Sequence, residues 1–273
     1  MKYILFLFVI TNIYSQKIKM TPKQDSIIEK YLNKGAYQYH YTSQKWEDYI
    51  KMALEKDSTI ALLWQRRALP YWKTRKYEIA LKYYDEAVKY DREEYLGRRG
   101  FLKCIFLKNY TEALKDLDMT IKEYGNGIQN DHSYNFYKSL CYLQLDQYDQ
   151  ALYFMQKEVD DTKKRAGEEW VPAICYFYLG VIYYEKRDYQ KSIELLDRTI
   201  KLYPTFSDAK YYKAICNYKI NEDAAAYYKI LREAKKNFDD GYTINEGDSP
   251  YELYPYQVNW YMVDIKKDDN GGS

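Results

Sequence analysis

The sequence has few of the residues on which most enzyme active sites depend. Only two histidines, His40 and His132, occur in 273 residues. The chain contains no Gly-rich phosphate loop, no His-Glu-x-x-His motif and no Gly-x-Ser-x-Gly motif. His132 stands between Asp131 and Ser133, both residue types that commonly cap the start of a helix. These scarcities predict a protein that is not an enzyme, with no catalytic residues, no metal and no cofactor.

Residues that interrupt helices are also scarce. The chain has 11 Gly and 6 Pro, whereas Lys, Glu, Leu and Ala are abundant. Because these residues have high helix propensity, the composition favours an all-α protein. The 36 Tyr against 9 Phe suit half-buried positions, where the ring packs and the hydroxyl stays in contact with water.

The charges nearly cancel, with 42 Lys and Arg against 40 Asp and Glu. Nucleic acids and anionic membranes attract strongly basic surfaces, so a nearly neutral chain predicts neither as a partner. No long apolar run is present to insert stably into a bilayer, which requires about 20 residues.

The first residues are typical of a secretory signal peptide. Lys2 gives a basic start, residues 3–10 are apolar, and Ser15 offers a small residue for cleavage. The alternative is that this stretch forms a buried first helix. We expect a signal peptide over residues 1–15 and a periplasmic or secreted mature protein.

Residues 173–207 carry the clearest pattern in the chain. Tyr176, Leu179, Gly180 and Tyr183 recur at helical spacing and define one face of a first helix. The absent side chain of Gly180 would allow a second helix to cross closely.

A polar break at Lys186, Arg187 and Asp188 separates this helix from a second one. The face of the second helix contains Tyr189, Ser192, Leu196 and Thr199. Pro204 closes it, because the proline ring disfavours helical geometry in the preceding residue.

This pair of helices resembles a tetratricopeptide repeat. That family repeats a helix-turn-helix unit every 34 residues, with an aromatic residue, Leu-Gly, two tyrosines, a small residue and a final proline at these spacings. Ser192 departs from the pattern, since the small residue is usually Ala. The second helices of similar units begin near residues 43, 77, 110, 148, 189 and 224, at intervals of 34, 33, 38, 41 and 35. The interval of 41 includes an insertion at residues 159–171, and Pro70 is expected to kink the first helix of the second repeat.

The resemblance covers about residues 26–237 and implies an α-solenoid of about six tetratricopeptide-type helical hairpins. The predicted organisation is a signal peptide at 1–15, a repeat solenoid at 16–240 and an irregular C-terminal cap and tail at 241–273. The four cysteines, Cys104, Cys141, Cys175 and Cys216, are 37, 34 and 41 residues apart, close to this period. We expect small buried residues in helix packing; a disulfide between neighbouring repeats is the alternative.

The C-terminal stretch has no helical period but contains many aromatic residues: Tyr251, Tyr254, Tyr256, Trp260 and Tyr261. Such side chains are costly to expose together. We expect this segment to pack on the last repeat as a cap. It could instead be a disordered tail, or fill the binding groove itself.

In tetratricopeptide proteins the first helices of the hairpins line a concave groove that commonly holds a peptide or a partner helix. Transfer of the family's groove positions to this sequence predicts a peptide- or protein-binding groove with few charges, represented by Leu62, Gln65, Trp72, Phe136, Leu140, Phe177, Val181, Tyr184, Glu185, Tyr212 and Lys219.

The resemblance therefore implies an exported, non-enzymatic scaffold or adaptor that binds a protein or peptide. Neutralisation of a toxin or effector, as in immunity proteins, is an alternative. A catalytic or carbohydrate-processing helical solenoid is a third, but the groove positions contain a single carboxylate, Glu185. Neither the partner nor the oligomeric state follows from the sequence.

Overall fold

A computed structural model of the protein describes residues 20–244 and 252–264. Twelve α-helices supply most of the regular structure of these residues. One short antiparallel pair of strands, β1 (Ile128–Gln129) and β2 (His132–Ser133), precedes a helix. The predicted signal peptide lies outside the described residues.

The helices form six consecutive hairpins, as predicted. They are α1 (Pro22–Ile27), continued by a π-helical stretch (Ile28–Asn33), with α2 (Gln44–Lys56); α3 (Ala61–Lys73) with α4 (Tyr77–Tyr90); α5 (Arg92–Ile105) with α6 (Tyr110–Tyr124); α7 (Tyr134–Gln144) with α8 (Tyr148–Ala166); α9 (Ala173–Glu185) with α10 (Tyr189–Leu202); and α11 (Ser207–Asn221) with α12 (Ala224–Asp239). Five of the six expected starts of second helices match to the residue. The first is one residue early because Ser43 is the N-cap of α2.

Five hairpins share the same turn. The residue two positions before the second helix has a left-handed backbone in each of them, at Arg75, Lys108, Asp146, Arg187 and Glu222, with φ between 53° and 62°. Several second helices then begin at a side-chain cap, for example Asp188, whose carboxylate accepts from the amide of Lys191 at 3.1 Å. The repeated turn confirms that the hairpins are copies of one structural unit.

Gly180 has the role that its position predicts. A Cβ atom there would lie 2.9 Å from Cγ of Leu196 on α10, so only glycine permits this crossing of α9 and α10. The hydroxyl of Ser192 donates to the carbonyl oxygen of Gly180 at 2.8 Å. The serine that replaces the usual alanine therefore has a buried partner, and Tyr176 on the same helix is 2% exposed.

Two regions correspond to irregularities in the sequence pattern. The insertion at residues 159–171 is largely helical, because α8 continues to Ala166 before a short 3-10 helix (Glu168–Trp170). Pro70 lies inside α3, which continues to Lys73, and the amide of Thr74 donates to the carbonyl oxygen of Pro70 at 3.0 Å. The proline is thus accommodated near the end of the helix.

The chain divides into two compact units, one up to Glu93 and one from Glu94. The core of the first unit is formed by Trp46, Ile50, Leu54 and Leu63, among others. The second unit has a larger core that includes Phe136, Tyr137, Phe177 and Tyr178. Within the residues that the structure describes, no helix is both long and apolar enough to cross a membrane.

Candidate binding groove

In the second unit, the first helices of consecutive hairpins share an aromatic face. The ring of Phe136 on α7 meets Tyr178 on α9 edge-on, with centroids 5.5 Å apart. Phe177 lies 5.9 Å and Tyr184 lies 5.5 Å from Tyr212 on α11. Such edge-on and tilted pairs are favourable for aromatic rings. We call this surface the first-helix face, and define it by Phe136, Phe177, Tyr178, Tyr184, Glu185, Asp208 and Tyr212.

The described part of the C-terminal segment, residues 252–264, packs on the first-helix face. The hydroxyl of Tyr178 donates to the carbonyl oxygen of Pro255 at 2.9 Å. The hydroxyl of Tyr256 donates to Oε1 of Glu185 at 2.8 Å, and its ring lies 5.9 Å from that of Tyr212. The face therefore contacts the segment through both its main chain and its side chains.

Asp208, in the first turn of α11, joins two parts of the chain that follow the last helix. Its Oδ1 accepts from the amide of Val258 at 2.7 Å. Its Oδ2 accepts from the hydroxyl of Thr243 at 2.7 Å and from the amide of Ile244 at 3.1 Å. Burial raises the pKa of this carboxyl to about 6, although the hydrogen bonds from Val258, Thr243 and Ile244 act in the opposite direction.

The segment also contributes to the core of the second unit. Tyr254, Val258 and Val263 are 5%, 1% and 1% exposed, and all belong to the same cluster as Phe177 and Val181. At its start, Lys108, just after α5, donates to the carbonyl oxygen of Leu253. The contacts thus extend well beyond the last hairpin, to α9 and to the end of α5. The segment therefore packs on α11 of the last hairpin, as expected for a cap, and also reaches α9 and the turn after α5.

The predicted groove residues have different surroundings in the structure. In the second unit, Phe136, Leu140, Phe177 and Val181 are fully buried. Glu185 and Tyr212 contact Tyr256 of the C-terminal segment, Tyr184 packs against Tyr212, and Lys219 is exposed on α11.

The remaining predicted positions belong to the first unit. Trp72 is buried against the rings of Tyr77 and Tyr84 of its own hairpin, while Leu62 and Gln65 are partly buried on α3. That these positions contact a ligand stays a prediction in both units.

Two residues of the first-helix face do not occur among the positions predicted from the sequence. Tyr178 directly follows Phe177 in a helix that is apolar on all sides, so periodicity does not distinguish it. Asp208 is an acidic residue in the first turn of a helix, where it would be favourable in any case through the helix dipole. No sequence signal therefore distinguishes it from an ordinary carboxylate at the start of a helix.

His132 and the four cysteines all lie in packed surroundings. The side chain of Ser133 caps α7 by accepting from the amide of Phe136 at 3.3 Å, and the ring of His132 stacks on Phe136 with centroids 3.9 Å apart. All four cysteines are free and buried, as the packing hypothesis predicts. Among the described residues, no group of three or more His, Cys, Asp or Glu side chains could hold a metal ion.

Comparisons with known proteins agree on the repeat. The tetratricopeptide repeat family model matches residues 173–206, the stretch in which the sequence pattern is clearest. A comparison with curated proteins gives no match.

Solved structures match over most of the chain at low sequence identity. PilW, described as a widely conserved type IV pilus biogenesis factor, has a TM-score of 0.60 at 14% identity, with 81% of this chain and 96% of that chain covered. A tetratricopeptide repeat protein from Parabacteroides merdae has a TM-score of 0.62 at 16% identity, with 79% and 80% covered. PilF of Pseudomonas aeruginosa has a TM-score of 0.56 at 17% identity, with 80% and 92% covered.

The likeness at these identities concerns the fold. Together with the family match and the six hairpins, it establishes that residues 173–206 are a tetratricopeptide repeat and that the chain is a helical solenoid of the tetratricopeptide-repeat type.

Proposed function

We propose that the protein is a non-enzymatic scaffold that binds an irregular segment of another protein on the first helices of its hairpins. The observation that supports this proposal is the position of residues 252–264 on the first-helix face. The carbonyl oxygen of Pro255 and the amide of Val258 are both hydrogen-bonded by side chains of that face. A surface that holds an irregular part of its own chain through main-chain hydrogen bonds has the geometry required for a peptide.

The chemistry of the face supports a peptide ligand of low charge. Phe177 and Tyr212 contribute buried aromatic surface, and aromatic residues dominate the binding energy of many protein interfaces. Glu185 and Asp208 add hydrogen-bond acceptors at two separate points. YrrB, another structural match with a TM-score of 0.50 and 18% identity, is described as a tetratricopeptide protein with an unusual peptide-binding site.

Site-specific photo-crosslinking in the producing cells tests this function. The photoreactive residue p-benzoylphenylalanine replaces Lys219 on α11 or Gln65 on α3, and mass spectrometry identifies any adduct. The control position is Tyr153 on α8, which is 62% exposed and is not a first-helix residue. We expect a protein adduct at Lys219 or Gln65 and none at Tyr153. Adducts at Tyr153 alone, or at none of the three positions, would contradict binding on the first helices.

We further propose that the protein is exported after cleavage near Ser15. The proposal depends on the basic start at Lys2 and the apolar residues 3–10. Cell fractionation and N-terminal sequencing of the protein from its native cells test it. A mature chain that begins near Gln16 outside the cytoplasm is expected, and an intact Met1 in the cytoplasmic fraction would contradict export.

A further inference from the structure

We infer that the C-terminal segment occupies a ligand site from which it can be displaced, and that the ligand is an uncharged, turn-forming segment resembling Tyr254-Pro255-Tyr256-Gln257-Val258, in which the amide of Gln257 donates to the carbonyl oxygen of Tyr254 at 3.1 Å. This inference deepens the proposed function and depends on it. It specifies the chemistry of the partner and adds that the site is closed until a competing segment replaces the chain's own.

The first argument is that side chains of the hairpins bind the main chain of the segment. Tyr178 donates to the carbonyl oxygen of Pro255, and Asp208 accepts from the amide of Val258. Lys108 donates to the carbonyl oxygen of Leu253. Main-chain hydrogen bonds of this kind give affinity for many sequences, as in other modes of peptide recognition. A segment from another protein can make all three.

The second argument is that a few side chains of the segment provide specificity. Tyr254 and Val258 are buried, and Tyr256 reaches Glu185 with its hydroxyl while its ring packs near Tyr212. Residues 253–263 contain no Lys, Arg, Asp or Glu. Burial of a charged side chain at this place would be costly, so a competing segment should also be uncharged.

The third argument is the backbone of Tyr256. Its φ of 60° lies in the left-handed region, which is unfavourable for a bulky residue. Residues in such conformations persist because their surroundings impose them, and they are concentrated at ligand clamps and switches. Binding of the segment therefore costs free energy at Tyr256, and a competing segment with glycine at the equivalent position avoids this cost.

A variant that weakens only the contacts of the segment with the first-helix face allows its competition with a free peptide to be measured. The triple variant Tyr254→Ala, Tyr256→Ala and Val258→Ala keeps every residue of the first-helix face. The matched control is Trp260→Ala with Tyr261→Ala, since these two aromatic side chains of the same segment are 69% and 76% exposed. The probe is a fluorescein-labelled synthetic peptide with the sequence of residues 252–264, and fluorescence anisotropy measures its binding to the full-length chains.

A tethered segment competes at an effective concentration of about millimolar, so micromolar probe should bind wild type and the control variant weakly. We expect the triple variant to bind the probe at least about tenfold more tightly than wild type does. Addition of Tyr178→Phe to the triple variant should weaken probe binding about three- to tenfold, because the hydrogen bond to the Pro255 carbonyl is lost. Absence of probe binding to a triple variant that circular dichroism shows to be folded would overturn the inference.

A second measurement, on the wild-type protein, tests the inference if the triple variant does not fold. Hydrogen exchange of wild type at the amide of Val258 reports the opening of the segment alone. Exchange faster than that of the core amides of α9 supports a displaceable segment, and exchange as slow as theirs makes it a permanent part of the core and overturns the inference.

Two results separate this inference from its rivals. A wild-type dimer that the probe dissociates would identify a second copy of the chain as the source of the competing segment, and would overturn an external partner. Failure of the probe assay together with a specific adduct at Lys219 would remove this inference and leave the proposed scaffold function in place.

Discussion

The carboxylate of Asp208 accepts a hydrogen bond of 2.7 Å from the amide of Val258, a residue 50 positions further along the chain. Asp208 is fully buried, and Val258 is 1% exposed. A single side chain at the start of the last hairpin therefore fixes the irregular segment that follows it. The contact shows that the C-terminal segment belongs to the architecture of the second unit.

The stability of this contact should depend on pH. Burial raises the pKa of Asp208 to about 6 in the folded protein, above the ordinary value of 3.8. Between about pH 4 and pH 6 the folded state binds this proton more tightly than the unfolded state does. The contribution of the group to the unfolding free energy is therefore fully present below about pH 4 and is lost as the pH rises through about 6.

Urea unfolding of wild type and Asp208→Asn at pH 4 and pH 7 measures this effect. We expect the destabilisation by Asp208→Asn to be larger at pH 4, by at most about 3 kcal/mol. The control is Glu194→Gln, whose side chain is exposed on α10. A difference between wild type and Asp208→Asn that is the same at both pH values would show that the carboxyl does not titrate in this range.

A second buried carboxylate, Asp116, should be essential for stability. Arg99 on α5 donates to both of its oxygens at 2.7 Å, and Nζ of Lys103 lies 2.8 Å from Oδ2. Asp116 is 2% exposed and Lys103 is 8% exposed. Asp116→Ala would leave two cations in the protein without this carboxylate, so we expect a loss of about 3–5 kcal/mol of unfolding free energy.

The exposed pair of Lys191 and Glu194 provides the control for that experiment. Its N–O distance of 2.7 Å is as short, but the two side chains are 48% and 54% exposed. Glu194→Ala should change the unfolding free energy by less than about 1 kcal/mol. Chemical denaturation of both variants checks the difference, and equal effects of Asp116→Ala and Glu194→Ala would contradict it.

Gly180→Ala should destabilise the protein although alanine favours helices. The new Cβ atom would lie 2.9 Å from Cγ of Leu196 and 3.0 Å from its Cδ2. Forced repacking of a buried side chain usually costs about 1–3 kcal/mol, which exceeds the gain of about 1 kcal/mol from helix propensity. Thermal unfolding should show a lower midpoint. Combination with Leu196→Ala should cost less than the sum of the single changes, whereas full additivity would show that the two side chains do not meet.

The four cysteines should be unreactive in the folded protein. All are buried and free, and burial raises the pKa of the Cys141 and Cys216 thiols. Since the thiolate is the reactive form, iodoacetamide at pH 8 should label none of them in the native state and all four in urea. Mass spectrometry counts the labels. Fewer than four labels in urea without reductant would instead reveal a disulfide.

Substitution of a fully buried aromatic residue would not test ligand binding cleanly. Phe177 is 0% exposed and packs against Tyr178, Phe206 and Tyr212. Phe177→Ala is expected to cost about 3–5 kcal/mol of stability, so any loss of binding could follow from unfolding. Exposed positions such as Lys219 therefore report on binding without this loss of stability.

The repeats were predictable because their signals are local. Tyr176, Leu179 and Gly180 recur at helical spacing, and the polar residues before Tyr189 mark the turn. The left-handed backbone at Arg187 and its equivalents was not visible, because Arg, Lys, Asp and Glu at these positions are not the glycines that usually announce it. The helical continuation of α8 to Ala166 was likewise hidden by the charge-rich sequence of residues 159–166.

By itself, the sequence determined the six hairpins, the starts of five of their second helices and the close approach of a partner helix at Gly180. Each of these depends on residues fewer than about 35 positions apart, within one repeat period. Only the tertiary structure decided that the C-terminal segment lies on the first-helix face and that Tyr178 and Asp208 hold it there. Those contacts join residues 77 and 50 positions apart and follow no period, so they emerge only when the helices have packed and left that face available.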